Sequence, residues 1–280
     1  MIEPMKPLLK WAGGKRHIAD ILKAHLPNDW DKGTYFEPFL GGAAFFLHLE
    51  MTESRLSDVN KWLIAFYSNV KENPAELVDV IQNHVDLFNS VDSDDKRKSV
   101  FYEFREKYNQ QTDSVDTAAL LYVLNKLCFN GLYRENSKGY FNVPFGHKKK
   151  FPEFSSRDFF EVSAKLSNVS ISVEDFESAV LKAQPGDFVY FDPPYIPVDA
   201  TSSFTSYSSG GFSTTDQMRL ARTMIELGAR GVKALLSNSS TTLTREIYSP
   251  LKQVQILAPR MVSAKAEGRG EIEELLIMNY

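Results

Sequence analysis

The sequence predicts an α/β protein with a mostly parallel sheet, helices on both faces of that sheet, and a mainly helical insert. Strand-like apolar runs alternate with helical patterns near both ends of the chain, as in parallel sheets. Between about residues 61 and 150 the pattern is helical instead. The chain has 280 residues, 43% of them hydrophobic, and is long enough to bury a large core. We therefore predict a first sheet segment at 1–60, an insert at 61–155 and a second sheet segment at 156–280.

The first segment combines a helix, two short strands and a glycine turn. Residues 15–26 place their apolar side chains on one helical face, and Pro27 follows as a stop signal. The stretch TYFEPFLGGAAFFLHL predicts a strand, a turn at Gly41 and Gly42, and an apolar helix. Residues 55–58 predict another strand with Asp58 at its end, where a doubly wound sheet places an acid that binds ribose. A turn and a cap without a ligand remain the alternatives for these glycines and this acid.

The insert and the second segment differ in pattern. ENPAELVDVIQNHVDLF repeats apolar residues at helical spacing, and DTAALLYVLNKLC is apolar nearly all round. Strand-like runs then return as VSISVED, DFVYFD, VKALLSNSS, VQILAP and EELLIMNY. Thr214 and Gln217 are expected to form the capping box of a helix that Gly228 closes. Residues 201–215 are rich in Ser, Thr and Gly and predict a functional loop.

Several classes of protein are excluded by composition and motif. Neither a signal peptide nor an apolar run long enough to cross a bilayer is present, so we expect a cytoplasmic protein with no membrane partner. The single cysteine, Cys128, excludes an internal disulfide, and the five His residues show no metal-ligand spacing, so no metal is expected. KWAGGK lacks the spacing of a phosphate-binding loop, which argues against nucleotide triphosphate hydrolysis.

Basic residues are concentrated in one window of a chain whose net charge is −4. Six basic residues and one acid lie between Lys126 and Lys150. A local strip of this kind can hold a phosphate backbone, although a solvated surface is the alternative. The same strip, CFNGLYRENSKGYFNVPFGHKKKF, contains aromatics, an arginine suited to guanine and a leucine suited to a thymine methyl.

The stretch DFVYFDPPY, residues 187–195, carries the strongest chemical signal. An apolar strand ends in Asp192, two prolines follow, and Tyr195 stands beside them. Each proline fixes its φ angle and lacks a backbone N–H, so the Asp192 carboxylate and the Pro193 carbonyl are both acceptors. Two neighbouring acceptors suit an NH2 group, and an aromatic ring offers its face to a flat heterocycle. The stretch therefore predicts a pocket for the exocyclic amine of a base.

Five motifs occur in the order KWAGGK, EPFLGG, Asp58, FNGLYRENSKGYFNVPFG and DPPY. In this order, over nearly the whole chain, the sequence resembles the Dam family of DNA adenine N6-methyltransferases that act on GATC. The resemblance implies a Rossmann-like methyltransferase fold in which the two sheet segments bind S-adenosyl-L-methionine and the insert is a target-recognition domain. It also implies double-stranded DNA as the partner, with functional pairing to a restriction endonuclease as one setting.

The resemblance assigns site residues as well. The positions that match cofactor contacts of the family are Trp11, Lys15, Asp58 and Asp192, with Phe39, Gly41 and Gly42 around the methionine part and Asp175 and Phe176 around the adenine. Among the positions that match DNA contacts, Lys10 and Arg134 correspond to residues that read guanines, and Leu132 to one that meets a thymine. Phe129 and Asn130 match residues at the space of the extruded base, and Pro144 matches one at a base edge. Lys148 lies near the outer base pair, at a position where many relatives have Tyr. Ala43 stands where the family frequently has a second glycine.

The predicted reaction is direct in-line transfer of a methyl group to adenine N6. Asp192 and the Pro193 carbonyl accept both N6 hydrogens, and the base is flipped out of the duplex and stacked on Tyr195. Phe204 and Tyr207 are expected to help hold the flipped base or the target backbone. Methylation of cytosine N4 or of RNA adenine, and a non-catalytic sequence-specific DNA-binding regulator, are the alternatives. Cytosine C5 methylation is discounted because Cys128 lies in an apolar helix without the nucleophile's usual context.

Overall fold

The computed structural model describes residues 5–51, 53–110, 112–197, 212–259 and 271–280. These residues form a mixed α/β protein that divides into two compact units, here called the helical unit and the sheet unit. The helical unit comprises Met1–Gly14, Gly41–His48 and Asn60–Ile171, and the sheet unit comprises Lys15–Leu40, Leu49–Val59 and Ser172–Tyr280. The assignment of catalytic and target-recognition domains to parts of the chain stays a prediction.

Seven strands form one sheet in the order β3-β2-β1-β4-β5-β7-β6. The strands are β1 (Tyr35–Glu37), β2 (Ser54–Asp58), β3 (Val169–Val173), β4 (Phe188–Phe191), β5 (Lys233–Ser239), β6 (Lys252–Pro259) and β7 (Glu271–Met278). Strands β2, β1, β4 and β5 pair in parallel, whereas β7 runs antiparallel to β5 and β6. The predicted strands are confirmed. The two antiparallel pairings of β7 were not predicted, because apolar runs give no information on strand direction.

The central strands are buried on both faces. Every residue of β1 and β4 is buried, and so is β5 after its first residue. A parallel sheet covered on both sides reads as a continuous apolar run, which is the pattern of DFVYFD. On one face Phe36, Val189 and Leu236 share a core with Leu220 and Met224 of the long helix Thr214–Ala229.

Ten α-helices lie in the described ranges, together with short 3-10 turns at Lys15–Ile18 and Phe129–Gly131. The helices are α1 (Ala19–Ala24), α2 (Ala44–His48), α3 (Lys61–Glu72), α4 (Pro74–Ser90), α5 (Asp94–Tyr108), α6 (Val115–Leu127), α7 (Ser156–Leu166), α8 (Phe176–Ala179), α9 (Thr214–Ala229) and α10 (Thr242–Ile247). Helix α6 is buried along nearly its whole length and packs against α3, α4 and α5. Its all-round apolar pattern is explained by this central place in the helical unit.

The capping box of α9 lies one residue earlier than predicted. Ser213 is the N-cap, its hydroxyl accepts from the Asp216 N–H, and the Asp216 side chain accepts from the Ser213 N–H. Thr214 and Gln217 therefore do not cap the helix. Since Gln217 is almost fully buried, its side chain is directed into the core instead.

The end of α9 also differs from the prediction. Gly228 does not close the helix, which continues to Ala229. The chain reverses at Gly231, where φ is +76°, a value that glycine adopts without strain. The loop predicted at 201–215 is described only at its end. Residues 201–211, which include Phe204 and Tyr207, lie outside the described ranges. Thr214 and Thr215 begin α9.

Candidate active site

The sheet order identifies where a ligand is expected. Strands β1 and β4 are parallel neighbours although they are distant in sequence, and the chain runs from β1 to β2 on one side and from β4 to β5 on the other. In doubly wound sheets a ligand binds at such a switch point, beyond the carboxyl ends of the strands. Asp192 follows the last residue of β4 directly, and Glu37 is the last residue of β1. The predicted catalytic acid is thus at the switch point of the sheet unit.

Asp192 lies in a partly buried, charged environment. Its side chain is 19% exposed, and its Oδ1 lies 2.7 Å from Lys15 Nζ and accepts from the Ser237 hydroxyl at 3.2 Å. Burial raises the pKa of Asp192 above its usual value, while the charge of Lys15 opposes this rise. The 3-10 turn at Lys15–Ile18 carries Lys15, whose side chain is only 4% exposed. Lys15, predicted as a cofactor residue, is therefore the ion-pair partner of the predicted catalytic carboxylate.

Tyr195 is held at both its ring and its hydroxyl. The hydroxyl donates to Glu274 Oε2 at 2.7 Å, and Lys15 Nζ lies 4.5 Å from the ring centroid. Glu274, on β7, is only 4% exposed. Burial, together with the nearby Asp192 and Glu274 carboxylates, raises the pKa of Tyr195 well above its usual value, so the hydroxyl stays protonated and acts as a donor. The structure thus brings Lys15, Asp192 and Tyr195 together, and their shared role in a ligand pocket stays a prediction.

The two proline carbonyls of the turn differ in their partners. The Pro194 carbonyl accepts from Gln217 Nε2 at 2.9 Å. No hydrogen bond to the Pro193 carbonyl comes from any residue that the structure describes. As far as the described residues go, the Pro193 oxygen has no donor and stays the predicted second acceptor beside the Asp192 carboxylate.

Asp175 and Phe176 stand at the start of α8. The Asp175 Oδ1 caps this helix by accepting from the Glu177 N–H at 3.1 Å, and its Oδ2 accepts from Arg219 at 2.8 Å. The Arg219 guanidinium also lies 4.4 Å from the centroid of the Phe176 ring. Phe176 stacks on Phe39, with ring centroids 5.5 Å apart. The Asp175 carboxylate and the Phe39–Phe176 pair are thus adjacent, and their role at the adenine of a cofactor stays a prediction.

Asp58 ends β2, the strand beside β1. Its carbonyl accepts from the Glu174 N–H at 3.3 Å, which links the end of β2 to the segment that leads into Asp175. Asp58 is half-buried and lies where this class of sheet places a ribose-binding acid. The sheet unit therefore holds Lys15, Phe39, Asp58, Asp175, Phe176, Asp192, Pro193 and Tyr195 of the predicted site.

Trp11, Gly41 and Gly42 belong to the helical unit. The Trp11 ring stacks on Tyr133, with centroids 4.9 Å apart and planes at 22°. A Cβ atom at Gly41 would lie 2.9 Å from Trp11 Cδ1, and φ at Gly41 is +48°. A Cβ atom at Gly42 would lie 3.2 Å from Trp11 Cβ. These two glycines thus make room for the tryptophan, a structural role that leaves their predicted cofactor role open.

The predicted recognition strip forms an irregular ribbon in the helical unit. Cys128 pairs with Phe145 and Glu135 with Phe141 in isolated antiparallel bridges. The Phe129 N–H donates to the Pro144 carbonyl at 2.9 Å, which joins two of the predicted DNA-binding residues. The ribbon thereby holds its exposed side chains in register.

Two side chains fix the start of this ribbon. The buried Asn125 accepts from the Lys10 N–H at 2.8 Å and donates to the carbonyls of Lys10 and Gly131 at 2.8 and 3.1 Å. The Cys128 thiol donates to the Leu132 carbonyl at 3.2 Å. Asn130 adopts φ +55°, a left-handed conformation that asparagine tolerates better than most residues. Lys10 is thus tied to the strip although more than a hundred residues separate them.

The seven predicted DNA-binding residues share one property, exposure to solvent. Arg134 is anchored through its Nε, which donates to Asn142 Oδ1 at 2.7 Å. This bond uses only the Nε of the guanidinium, and a bidentate contact to guanine needs two of its nitrogens. Leu132 is 39% exposed and Phe129 51%, so both apolar side chains are accessible to a partner.

Sequence reasoning missed four residues that organise these sites: Gln217, Arg219, Glu274 and Asn125. A weak signal existed for one of them. In a strand, neighbouring side chains point to opposite faces, so one of the two adjacent acids Glu273 and Glu274 had to point inward. Gln217 and Arg219 lie on the polar-looking helix α9, and their partners are far away in sequence. No local pattern predicts such contacts.

None of the helices in the described ranges combines the length and the apolar character that a membrane crossing requires. No group of three or more His, Cys, Asp or Glu side chains in the same ranges is placed to hold a metal ion.

Comparison with known proteins identifies the class. The model of the D12 class N6 adenine-specific DNA methyltransferases matches residues 11–262, and the chain belongs to this family. The chain is 40% identical over 288 residues to the Type II methyltransferase M.MjaIII of Methanocaldococcus jannaschii, with 99% of each chain covered. It is 38% identical over 283 residues to the Type II methyltransferase M1.LlaDCHI of Lactococcus lactis subsp. cremoris, covering 99% of this chain and 96% of the relative. The DNA adenine methylase of Escherichia coli K12 is 35% identical over 274 residues, covering 98% and 95%. The protein is thus an adenine-specific DNA methyltransferase.

Proposed function

We propose that the protein transfers a methyl group from S-adenosyl-L-methionine to adenine N6 within GATC in duplex DNA. The observation that carries this proposal is the pair of acceptors at the switch point of the sheet. The Asp192 carboxylate is fixed by Lys15 and Ser237, and the neighbouring Pro193 carbonyl is free of described donors. Family membership supports adenine as the base and DNA as the substrate.

The residues of the sheet unit fit the proposed cofactor. Its adenine amine would be accepted by Asp175, its ring would face the stacked pair Phe39 and Phe176, and its ribose would bind Asp58. When bound, S-adenosyl-L-methionine supplies an electrophilic methyl group on a positively charged sulfur. The partly buried Asp192 carboxylate lies at the same end of the sheet as Asp58, since both follow the carboxyl ends of parallel strands.

Asp192 and Pro193 act on the amine of the target base. The adenine N6 lone pair is delocalised into the ring, so the amine is a poor nucleophile. Two fixed acceptors for its two hydrogens draw the nitrogen toward tetrahedral geometry and leave the lone pair directed away from them. Because both acceptors are held before the substrate arrives, little reorganisation is needed during the reaction. Transfer is direct, without a covalent enzyme intermediate.

The base must leave the duplex to reach these acceptors. Extrusion costs a few kcal/mol, and stacking on an aromatic ring offsets part of this cost. Tyr195 provides such a ring. It follows Asp192 by three residues, and its hydroxyl is anchored to Glu274. Phe129 and Asn130, both exposed on the strip, are proposed to occupy the space that the base vacates. Arg134 and Lys10 are proposed to read guanines, and Leu132 a thymine.

The proposal is tested by incubating the protein with labelled cofactor and a short duplex that carries one GATC. A duplex of equal composition that carries GTAC is the matched substrate. Chromatography of the digested nucleosides should show N6-methyladenine from the GATC duplex only. Absence of N6-methyladenine from both duplexes would reject the proposed reaction, and equal labelling of both would reject the proposed site.

The role of Asp192 is tested with Asp192→Asn, which keeps the size of the side chain and removes its charge. Asp192→Ala is a poorer first choice, because it leaves Lys15 buried without its partner. We expect single-turnover methylation to fall by about 10²–10³-fold, since an amide presents a donor where an acceptor is required. Asp31→Asn, at a half-exposed position, is the control. Full activity of Asp192→Asn would refute the role.

The biological setting follows from the neighbouring genes. The relatives include Type II methyltransferases and DNA adenine methylases at similar identity. A GATC-cleaving endonuclease gene beside this one would support functional pairing with a restriction enzyme. Its absence would favour a solitary methyltransferase.

A further inference from the structure

Three consecutive residues behind the Asp192 carboxylate are each held by a different buried polar side chain. Gln217 of α9 donates to the Pro194 carbonyl at 2.9 Å, Glu274 of β7 accepts from the Tyr195 hydroxyl at 2.7 Å, and Asn238 of β5 accepts from the Ile196 N–H at 3.1 Å. All three side chains are at most 4% exposed. The turn that presents the predicted acceptors is therefore fixed from the interior of the sheet unit.

Gln217 occupies the centre of this arrangement. Its Oε1 accepts from Asn238 Nδ2 at 3.1 Å and from the Tyr248 hydroxyl at 2.7 Å. Since the amide oxygen accepts both of these hydrogen bonds, the amide nitrogen is the group that donates to the Pro194 carbonyl. The orientation of the amide is thus set by the Asn238 NH2 group, which can only donate and whose own oxygen is fixed by the Ile196 N–H.

Occupation of the Pro194 carbonyl has a consequence for Pro193. Two successive prolines adopt extended conformations in which the chain turns by about a third of a revolution per residue. Successive carbonyls therefore point in different directions, and fixing one of them fixes the other. Without a donor at Pro194, the turn could present either carbonyl to a ligand.

We propose that Gln217 is a positioning residue that selects the Pro193 carbonyl as the acceptor beside Asp192 by occupying the Pro194 carbonyl. The inference rests on the proposed function, because it concerns the geometry of the acceptor pair for the adenine amine. Gln217 does not touch the reacting atoms. Its side chain contacts Pro194, Asn238 and Tyr248, and none of these three is a predicted cofactor residue. A change at Gln217 should therefore lower the rate of transfer and leave the affinity for the cofactor unchanged.

The test is Gln217→Glu, which preserves size and replaces the donor by a carboxyl group. When ionised, this carboxylate cannot donate to the Pro194 carbonyl; when protonated, it can. Burial favours the protonated form and brings the change into an accessible pH range. At high pH the single-turnover rate of the variant should therefore be about 100-fold lower than that of the wild type. The ratio of the two rates should rise toward one as the pH is lowered. Once protonated, the introduced group carries no charge, so in the acid range it does not perturb the limb due to Asp192, which then cancels in the ratio.

Gln184→Glu makes the same chemical change at an exposed position of the sheet unit and should give a ratio near one at every pH. A ratio for Gln217→Glu that does not vary with pH would overturn the inference, whatever its size. If the wild type itself forms no N6-methyladenine, the proposed function fails first, so the two failures are distinguishable.

A second variant covers the case in which Gln217→Glu does not fold. Gln217→Met fills the same space without a donor or an acceptor. We expect its single-turnover rate to fall while its cofactor Kd, from equilibrium dialysis, stays within about threefold of the wild type. A parallel loss of cofactor affinity and rate, or no loss of rate, would overturn the inference.

Discussion

The residues predicted for the cofactor and the reaction differ from those predicted for DNA in one consistent property. Those predicted for the cofactor and the reaction are all buried or half-buried, and those predicted for DNA are all exposed. Asp192 has a lysine and a serine as partners, and Tyr195 has a glutamate. Arg134, in contrast, is held by a single asparagine through one nitrogen.

The difference follows from what each set must do. Transfer of a group requires acceptors fixed to a fraction of an ångström, and buried hydrogen bonds provide this. Recognition of a partner requires side chains that reach out of the surface. The strip achieves order differently, because its backbone is fixed from below by Asn125 and Cys128 while the predicted DNA-binding side chains stay exposed. Changes in the buried layer should therefore cost stability or rate, and changes on the strip should cost specificity.

The largest effect on stability is expected for Asn125→Ala. The substitution removes the partners of three backbone groups of Lys10 and Gly131 in a buried setting. We expect the free energy of unfolding, from urea denaturation, to fall by about 2–4 kcal/mol. Asn142→Ala, which removes only a contact to the exposed Arg134, should lower it by less than about 1 kcal/mol. Equal losses would mean that the strip does not depend on a buried layer.

Arg134→Ala should separate recognition from stability. We expect a loss of about 1–3 kcal/mol of discrimination at one guanine of GATC, with a change in unfolding free energy below about 0.5 kcal/mol. The measurement is methylation of duplexes in which each base pair is replaced in turn. Lys149→Ala, in the same strip, should weaken binding uniformly across sequences, because lysines in such a run contact phosphates. An unchanged sequence preference in Arg134→Ala would contradict the assignment.

Glu274→Gln should shift the pH dependence of the buried site. The proposed mechanism requires the ionised Asp192, whose pKa burial raises and the Glu274 carboxylate raises further. Removing the Glu274 charge lowers the pKa of Asp192, so the acid limb of the single-turnover rate should move to lower pH. The ionisable groups around Asp192 are Lys15 on the 3-10 turn, Tyr35 and Glu37 on β1, Tyr190 on β4, Tyr195 in the turn and Glu274 on β7.

The control for this shift is on the same strand. Glu273 is exposed while Glu274 is buried, so Glu273→Gln should leave the acid limb in place. Lys15→Gln should move the limb in the opposite direction, to higher pH, because the charge of Lys15 lowers the pKa of Asp192. A limb that moves the same way in Glu274→Gln and Lys15→Gln would contradict this account of the charges.

The smallest effect is expected at Ala43, which lies beside the two glycines and has φ +55°. The left-handed conformation costs a non-glycine residue about 1–2 kcal/mol, whereas the buried methyl group contributes about 0.8 kcal/mol. Ala43→Gly should therefore raise the free energy of unfolding by less than about 1 kcal/mol. Destabilisation by thermal or urea unfolding would show that packing of the methyl group outweighs backbone strain.

These sites also show which features the sequence can predict. The strands and the place of Asp192 were predictable, because a continuous apolar run followed by an acid and two prolines has few other interpretations. The mixed α/β class with a large sheet is confirmed by the seven strands. The functions of the individual site residues stay predictions, since no ligand contact tests them.

The residues behind the turn could not be predicted from local pattern. Gln217 looked like a capping residue, because helix starts are polar, and its real partners are Pro194, Asn238 and Tyr248 on other elements. The same is true of Arg219, whose contact to Asp175 spans two helices. A buried amide and an exposed one have the same sequence signature, and only the packing of the elements distinguishes them.

The burial of Cys128 has a practical consequence for measurements in solution. Its side chain is 1% exposed, its thiol is engaged by the Leu132 carbonyl, and burial raises its pKa to about 11. Alkylating reagents attack thiolates, so the native chain should be nearly inert to maleimide dyes at neutral pH. A cysteine introduced at an exposed strip position such as Lys138 would then carry the only fluorophore, and its emission would report the arrival of a duplex directly.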